Sequence, residues 1–140
     1  LHKSSFPSIN SSWIIMLQRS RGVKIGKNCH ISPYVLIDLI YPSMVSIGNN
    51  VTIGSNTMIF AHYNPTANKF LKENGYPREI QKVVINDGAV IGPGSIITMG
   101  TTIGKNAIIG AGSVVSKTIP DSTVALGNPA RVIKKIDIEK

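Results

Sequence analysis

Aliphatic residues return at every sixth position along most of this 140-residue chain, and that period constrains the fold more than any other feature of the sequence. The series runs Ile25, Ile31, Ile37, then Ile47, Ile53, Ile59, then Ile85, Ile91, Ile97, Ile103, Ile109 and Val115. Two places before each slot stands a small or β-branched residue, such as Val23, Cys29, Val51, Thr57, Ala89, Ser95 and Ala107. A spacing of six carries successive residues about 240° round an α-helix, so no apolar stripe could form on one. Two apolar positions separated by two suit a short strand that points both side chains to one side. The place after the slot is often glycine, as at Gly26, Gly48, Gly54, Gly92, Gly104 and Gly110. These glycines are expected to supply the unusual backbone angles of tight corners, with Asn28, Asn50, Asn56 and Asn106 at further turn positions.

One six-residue unit buries almost nothing alone, so the units must stack, and hexapeptide repeats are associated with a parallel β-helix. With three units to a coil, the slots predict an all-β prism of about four triangular coils stacked at about 4.8 Å, roughly 20 Å tall. The interior then admits only small and aliphatic groups, and Cys29, in a small inward slot, is expected to be a buried structural thiol. Residues 1 to 22 are expected to cap the open end, and residues 23 to 136 to form the repeat domain with its closing segment. Within the cap, "NSSWIIMLQRSRG" predicts a short helix capped by Ser11 or Ser12, with Trp13, Ile14 and Leu17 over the end of the prism. The register slips between Ile37 and Ile47, and far more between Ile59 and Ile85. The long loop at 60 to 84 carries Phe70, Leu71, Tyr76 and Ile80, enough apolar surface for a lid or an arm over a neighbouring subunit.

Fifteen Lys and Arg against seven Asp and Glu give a net charge of +8, yet residues 28 to 68 contain no Lys or Arg. The balance points to an anionic partner. A nucleic acid is not expected, because a dense basic face interleaved with aromatics is missing; a small polyphosphorylated ligand fits the charge as well. The single cysteine excludes an internal disulfide and makes the cytoplasm the default location. No apolar run approaches the ~18 residues of a membrane span, and no cleaved secretory signal is legible in a chain that starts at Leu1. A membrane-surface anchor at the apolar N-terminal segment is an alternative, not the expectation.

The repeats, the "FAHYNP" that opens the long loop, and the closing block "IIGAGSVVSKTIPDSTVALGNPARVIKKI" together resemble the hexapeptide-repeat, left-handed β-helix acyltransferase superfamily. The resemblance covers residues 23 to 136 and is strongest to the sugar O-acetyltransferase branch, which includes maltose, galactoside, streptogramin and polysaccharide acetyltransferases. It implies left-handed coiling, against the general preference for right-handed crossovers. It also implies a homotrimer with active sites between adjacent prisms, acetyl-CoA as co-substrate along the groove, and a catalytic histidine at the start of the long loop, the place of His62.

Attack of a hydroxyl on a thioester is limited by the poor nucleophilicity of an alcohol at neutral pH, so a general base is the minimum equipment, and a histidine suits it. No serine or cysteine is paired with a base by motif, so direct attack in a ternary complex is expected, without an acyl-enzyme. By resemblance, the cofactor-binding positions are Pro93, Ala111, Ser116, Lys117, Arg131 and Lys134, with the cations neutralising phosphates. Lys135 and Lys140 are read as surface charge, and His2 as inert. Asp38 matches the acidic position beside the acceptor, with an ordinary turn Asp as its bland reading. Two departures stand out: Ile31, Ser32 and Pro33 occupy the stretch where relatives place an oxyanion-stabilising Asn, and Val90 stands where many carry Trp. Backbone N–H groups are the default oxyanion donors. His30 is expected at the solvent or a subunit seam. Some proteins of this architecture resemble γ-class carbonic anhydrases, which hold zinc with three histidines; with Ala67 five residues after His62 and only His30 as an upstream candidate, that set is not assembled, and no metal is expected. The reading is thus an acetyl-CoA-dependent O-acetyltransferase acting on a saccharide or polysaccharide precursor. The alternatives are a non-catalytic hexapeptide-repeat scaffold and an antibiotic-modifying O-acetyltransferase.

Overall fold

The computed structural model describes residues 11 to 137. The aliphatic slots lie one above another on the three faces of a left-handed parallel β-helix. The first face stacks Lys24–Ile25, Val45–Ile47, Val83–Ile85 and Thr102–Ile103. The second stacks His30–Ile31, Thr52–Ile53, Val90–Ile91, Ile108–Ile109 and Thr123–Gly127; the third stacks Leu36–Ile37, Met58–Ile59, Ile96–Ile97 and Val114–Val115. Register follows the slots: Ile25, Ile47, Ile85 and Ile103 pair in sequence, as do Ile31, Ile53, Ile91 and Ile109, and Ile37, Ile59, Ile97 and Val115. Beyond the predicted four coils a partial fifth begins, where Ile119 bridges Ile103 and Ala125 pairs with Ile109. A count in sixes misses it because only four positions separate Val115 from Ile119. The last strand, Ala130–Lys135, turns back antiparallel on Thr123–Gly127 and ends the stack on the second face.

The small positions fill the same interior, with Val51, Thr57, Ala89, Ser95 and Ala107 all inaccessible to solvent. Their hydroxyls do not go unpaired: Ser95 Oγ donates to the Gly92 carbonyl at 2.7 Å, and Ser113 Oγ to that of Gly110 at 2.6 Å. Cys29 departs from expectation. It is only half-buried, with Sγ 3.1 Å from the Gly48 carbonyl oxygen, because the first coil has no coil before it to close over the thiol.

The corner glycines are also corrected. Positive φ belongs to Asn28, Asn50, Asn56 and Asn106, and at the same position of the repeat to Gly88, Gly94 and Gly112, but not to the glycines that follow the slots. Those glycines are required by close approach: a Cβ on Gly54 would sit 2.5 Å from Pro93 N, and one on Gly92 would sit 2.5 Å from Ala111 N. Successive coils touch backbone to backbone at these corners.

The predicted cap is described from Ser11 onward; His2 and Lys140 lie outside the described residues. Helix α1 (Ser11–Ser20) turns Ile15 into the core, with Ile14 packed beside it, whereas Trp13 and Leu17 face outward. The helical phase is therefore rotated from the predicted one. The Ser11 hydroxyl accepts the Ile31 N–H at 2.8 Å and so docks the helix on the first coil. The long loop has structure of its own. His62–Tyr63 pairs antiparallel with Glu79–Ile80, and between them helix α2 (Lys69–Glu73) is capped by Asn68, whose Oδ1 accepts the Leu71 N–H at 2.9 Å. Phe70, Tyr76 and Ile80 remain exposed on this arm. Among the described residues no helix is long and apolar enough to cross a membrane.

Ile97 is inaccessible to solvent and flanked by slots on both sides. Ile97→Ala should therefore cost about 2–5 kcal/mol, read as a lower denaturant midpoint at fixed protein concentration.

Candidate active site

The two places where the register slips lie on adjacent coils at the same vertex of the prism. Asp38 N donates to the Ile59 carbonyl (2.8 Å), Phe60 N to that of Ile97 (2.9 Å), and Thr98 N to that of Val115 (3.0 Å), so Asp38, Phe60, Thr98 and Ser116 form one column. At Asp38 the chain leaves the coil for a short turn and the 3-10 helix Pro42–Met44; after Ala61 it leaves for the long arm. The first two exits thus sit directly over each other, and they bring Asp38 to His62.

His62 Nδ1 lies 2.6 Å from Asp38 Oδ2, with 19% of the imidazole side chain exposed and none of the carboxylate. Both carboxylate oxygens are fully engaged. Oδ2 also accepts the Ala61 N–H at 2.8 Å, while Oδ1 accepts those of Ile40 and Tyr41 at 3.0 and 2.9 Å. Burial alone would raise the Asp38 pKa, but the backbone N–H groups of Tyr41, Ala61 and Ile40 and the bond to His62 together lower it from 3.8 to about 2. At neutral pH the carboxylate is ionised and can only accept, so His62 Nδ1 carries the proton and donates. That leaves Nε2 as the ring nitrogen with a lone pair to offer when the ring is neutral. The Tyr41 ring packs against the imidazole in a T-shaped contact, ring centres 5.1 Å apart at 69°.

Asp38, expected beside the acceptor, is inaccessible to solvent in this chain and lies beneath the histidine. Its bland reading as a turn residue is half of the answer, since Oδ1 closes the turn while Oδ2 holds the ring. From behind, Arg21 at the end of α1 donates to the Asp38 carbonyl at 2.6 Å, to the Ile37 carbonyl at 3.1 and 3.2 Å, and to Gln18 Oε1 at 2.6 Å. Sequence reasoning did not single out Arg21 or Tyr41. The four extra residues after Asp38 were the signal for Tyr41; nothing local marks Arg21, whose carbonyl partners lie 16 and 17 positions away.

The expected cofactor positions fall into three groups in a single chain. Pro93 and Ala111 are exposed neighbours at the vertex between the second and third faces, where Gly112 N donates to the Pro93 carbonyl at 2.9 Å. Ser116 and Lys117 are exposed at the next vertex, in the column of Asp38. Arg131 and Lys134 project from the terminal strand, opposite Leu126 and Val124. The fold brings His62 to Asp38 but does not gather these six around them. Two clefts of about 330 and 340 Å³ lie against α1, and His62 lines neither. His30 is exposed as expected, its Nε2 3.3 Å from Ser32 Oγ. Among the described residues no group of three or more His, Cys, Asp or Glu gathers as a metal site.

Family comparison agrees with this architecture. A model described as bacterial transferase hexapeptide (six repeats) matches residues 82–117, and one for the hexapeptide repeat of succinyl-transferase matches residues 44–60. A galactoside O-acetyltransferase from Escherichia coli (strain K12) is 31% identical over 98% of this chain and 68% of its own length. Among solved structures, a maltose O-acetyltransferase from Clostridium difficile 630 is similar with a TM-score of 0.71 and 33% identity, covering 95% of this chain and 80% of its own. A galactoside acetyltransferase in complex with coenzyme A has a TM-score of 0.67 and 30% identity, covering 95% and 74%. The chain spans between 46% and 69% of the length of the first curated relatives it matches.

The depressed Asp38 pKa carries a signed consequence. Its contribution, on the order of 2 kcal/mol, is present above about pH 4 and is lost as pH falls toward 2. Urea unfolding followed from pH 5 to pH 2 should show this loss in the wild type, and a flatter profile in Asp38→Asn.

Proposed function

Because the chain belongs to the hexapeptide-repeat acetyltransferases, we propose that it moves an acetyl group from acetyl-CoA to a hydroxyl of a saccharide or polysaccharide precursor, with His62 as the general base. The observation that carries this reading is the buried, ionised Asp38 on Nδ1 of a histidine whose ring still reaches the surface. A scaffold needs no such pair.

In the proposed reaction Nε2 accepts the proton of the acceptor hydroxyl as its oxygen bonds to the thioester carbonyl carbon. The resulting imidazolium is stabilised by the Asp38 carboxylate, to which Nδ1 remains bonded throughout. The tetrahedral intermediate collapses, the C–S bond breaks, and the departing CoA sulfur takes the proton back from Nε2. One acetyl ester and one thiol are formed, and the histidine returns to its starting state without an acyl-enzyme. A positioned base of this kind contributes typically ~10²- to 10⁴-fold, and the rest is assigned to positioning and to backbone donors at the oxyanion.

The proposed unit is a homotrimer with residues 23 to 136 as the acyltransferase domain and residues 1 to 22 as its cap. Two features support a shared site. The three groups of cofactor positions are separated in one chain, so a neighbouring prism is needed to set Pro93 and Ala111, with Arg131 and Lys134, across a groove from His62 and Lys117. The outward-facing rows also leave Met58, Val90, Ile108, Leu126, Val132 and Ile133 exposed, apolar surface that a second prism would cover. The exposed Phe70 and Tyr76 suit the long loop as an arm over that neighbour. Val90, where relatives carry Trp, then belongs to the seam. We place the reaction in the cytoplasm, in keeping with the single unpaired thiol of Cys29.

His62→Ala should retain the trimer and its affinity for CoA while turnover falls by about 10²- to 10⁴-fold, measured by thiol release with acetyl-CoA and a panel of sugars and nucleotide sugars. Turnover like that of the wild type would remove His62 as the base, and no heat of binding with CoA would favour the scaffold.

A further inference from the structure

Two guanidinium groups approach the Asp38–His62 pair, and they differ in what they have left to offer. Each arginine carries five N–H donors in a planar fork. Arg21 is committed to two backbone carbonyls and Gln18, and serves the architecture. Arg78 is not. It arrives from the far side of the long loop, next to the strand Glu79–Ile80 that pairs with His62–Tyr63, and its one hydrogen bond is from Nη1 to the Tyr41 hydroxyl at 2.6 Å. The same Tyr41 packs edge-on against the His62 ring with centres 5.1 Å apart. One tyrosine side chain therefore spans the gap between the base and this cation, a distance within reach of one or two sugar rings. Among the described residues the ion pairs are His62 with Asp38 and Lys69 with Glu73, so no carboxylate neutralises Arg78; its neighbour Glu79 is bonded to Gln81 Nε2 at 3.3 Å. Residues 28 to 68, which supply Asp38, Tyr41 and His62, contain no Lys or Arg, and the loop imports the charge.

We propose that Arg78, steadied by Tyr41, is an anion-recognising subsite on the acceptor side, and that the acceptor is an acidic saccharide, carrying a carboxylate or a phosphate within one or two sugar rings of the hydroxyl that reacts. The inference rests on the acetyl-transfer reading for its site and adds the class of acceptor. The free edge of the guanidinium matches either anion with two parallel N–H···O bonds, and a tyrosine bond at Nη1 limits the orientations of that fork. A neutral sugar would leave the exposed cation solvated and gain nothing from it.

The test compares matched acceptors that differ only in charge: methyl glucuronide against methyl glucoside, methyl galacturonide against methyl galactoside, and glucose 1-phosphate against glucose. Binding is read by saturation-transfer NMR on the full chain with CoA present, and transfer by thiol release from acetyl-CoA. At least one charged member should exceed its neutral partner by about 10- to 100-fold in affinity and in kcat/KM. In Arg78→Ala that ratio should fall to about one, mainly through KM; Arg78→Lys should keep part of it, and Tyr41→Phe, which retains the ring, should reduce it. The uronide and phosphate arms distinguish the two anions. Absence of a charge preference in every pair, or a preference unchanged in Arg78→Ala, overturns the proposal. Arg78-dependent binding without transfer to any sugar would uphold the subsite and instead defeat the acetyl-transfer reading, whereas transfer with no preference for charge would do the reverse.

Discussion

A six-residue unit of this chain can bury its two apolar side chains only against another unit of the same kind, and every other structural feature depends on that stacking. Ile53, Ile91 and Ile109 pair Cα to Cα along one face, and the other faces repeat the arrangement. Backbone N–H groups of one coil meet carbonyls of the next at 2.8 to 3.0 Å, as from Gly54 to Ile91 and from Thr98 to Val115, which leaves little tolerance in coil spacing. Glycines follow the slots for that reason. At Gly54 and Gly92 the next coil is too close for a methyl group, while the left-handed backbone is delegated to asparagines and glycines at a different position of the repeat.

Regular stacking also explains how two irregularities become a site. An excursion from a coil begins at a vertex, and vertices of successive coils are aligned. Asp38 and Ala61 leave from the same vertex, one coil apart, so the side chain of Asp38 is placed under the backbone of Ala61 and the ring of His62. The carboxylate has lost its water completely and is kept ionised by three backbone N–H groups and an imidazole, which is an expensive arrangement to assemble for packing alone. Its consequence is a single tautomer of His62 and a single ring orientation, the two properties a general base requires. Arg21 then ties the backbone beneath Asp38 to the helical cap, so that α1 supports the site as well as closing the prism.

Within one prism the expected cofactor positions stay apart. His62 and Lys117 face one vertex, Pro93 and Ala111 another, and the arginine and lysine of the terminal hairpin project from the second face. The homotrimer proposed above is the arrangement that would turn these separated surfaces toward one another. The exposed apolar rows and the uncovered arm fit such an assembly, and the proposed anion subsite at Arg78 lies at the root of that arm.

The period of six was sufficient to specify strand length, slot register, the all-β class and the triangular section, because each is a local pattern multiplied by stacking. The same count located both slips, and the family resemblance then singled out His62 and Asp38 there as separate candidates. Their relation was not legible: 24 positions separate them, and only the coil geometry makes one the floor of the other. The N-terminal segment read correctly as a helix, yet its face was misjudged, since Trp13 and Ile15 differ by two places and only the shape of the open coil selects which turns inward. Cys29 and the fifth coil were missed for one reason, that a repeat pattern describes the middle of a stack and is silent about its ends. Sequence alone thus determined what the repeating unit is and where it breaks, because these are properties of neighbours along the chain. Tertiary structure alone decided which broken ends meet, that a buried carboxylate lies on Nδ1 of a half-buried histidine, and which of two arginines keeps a free edge, because those depend on groups brought together across coils.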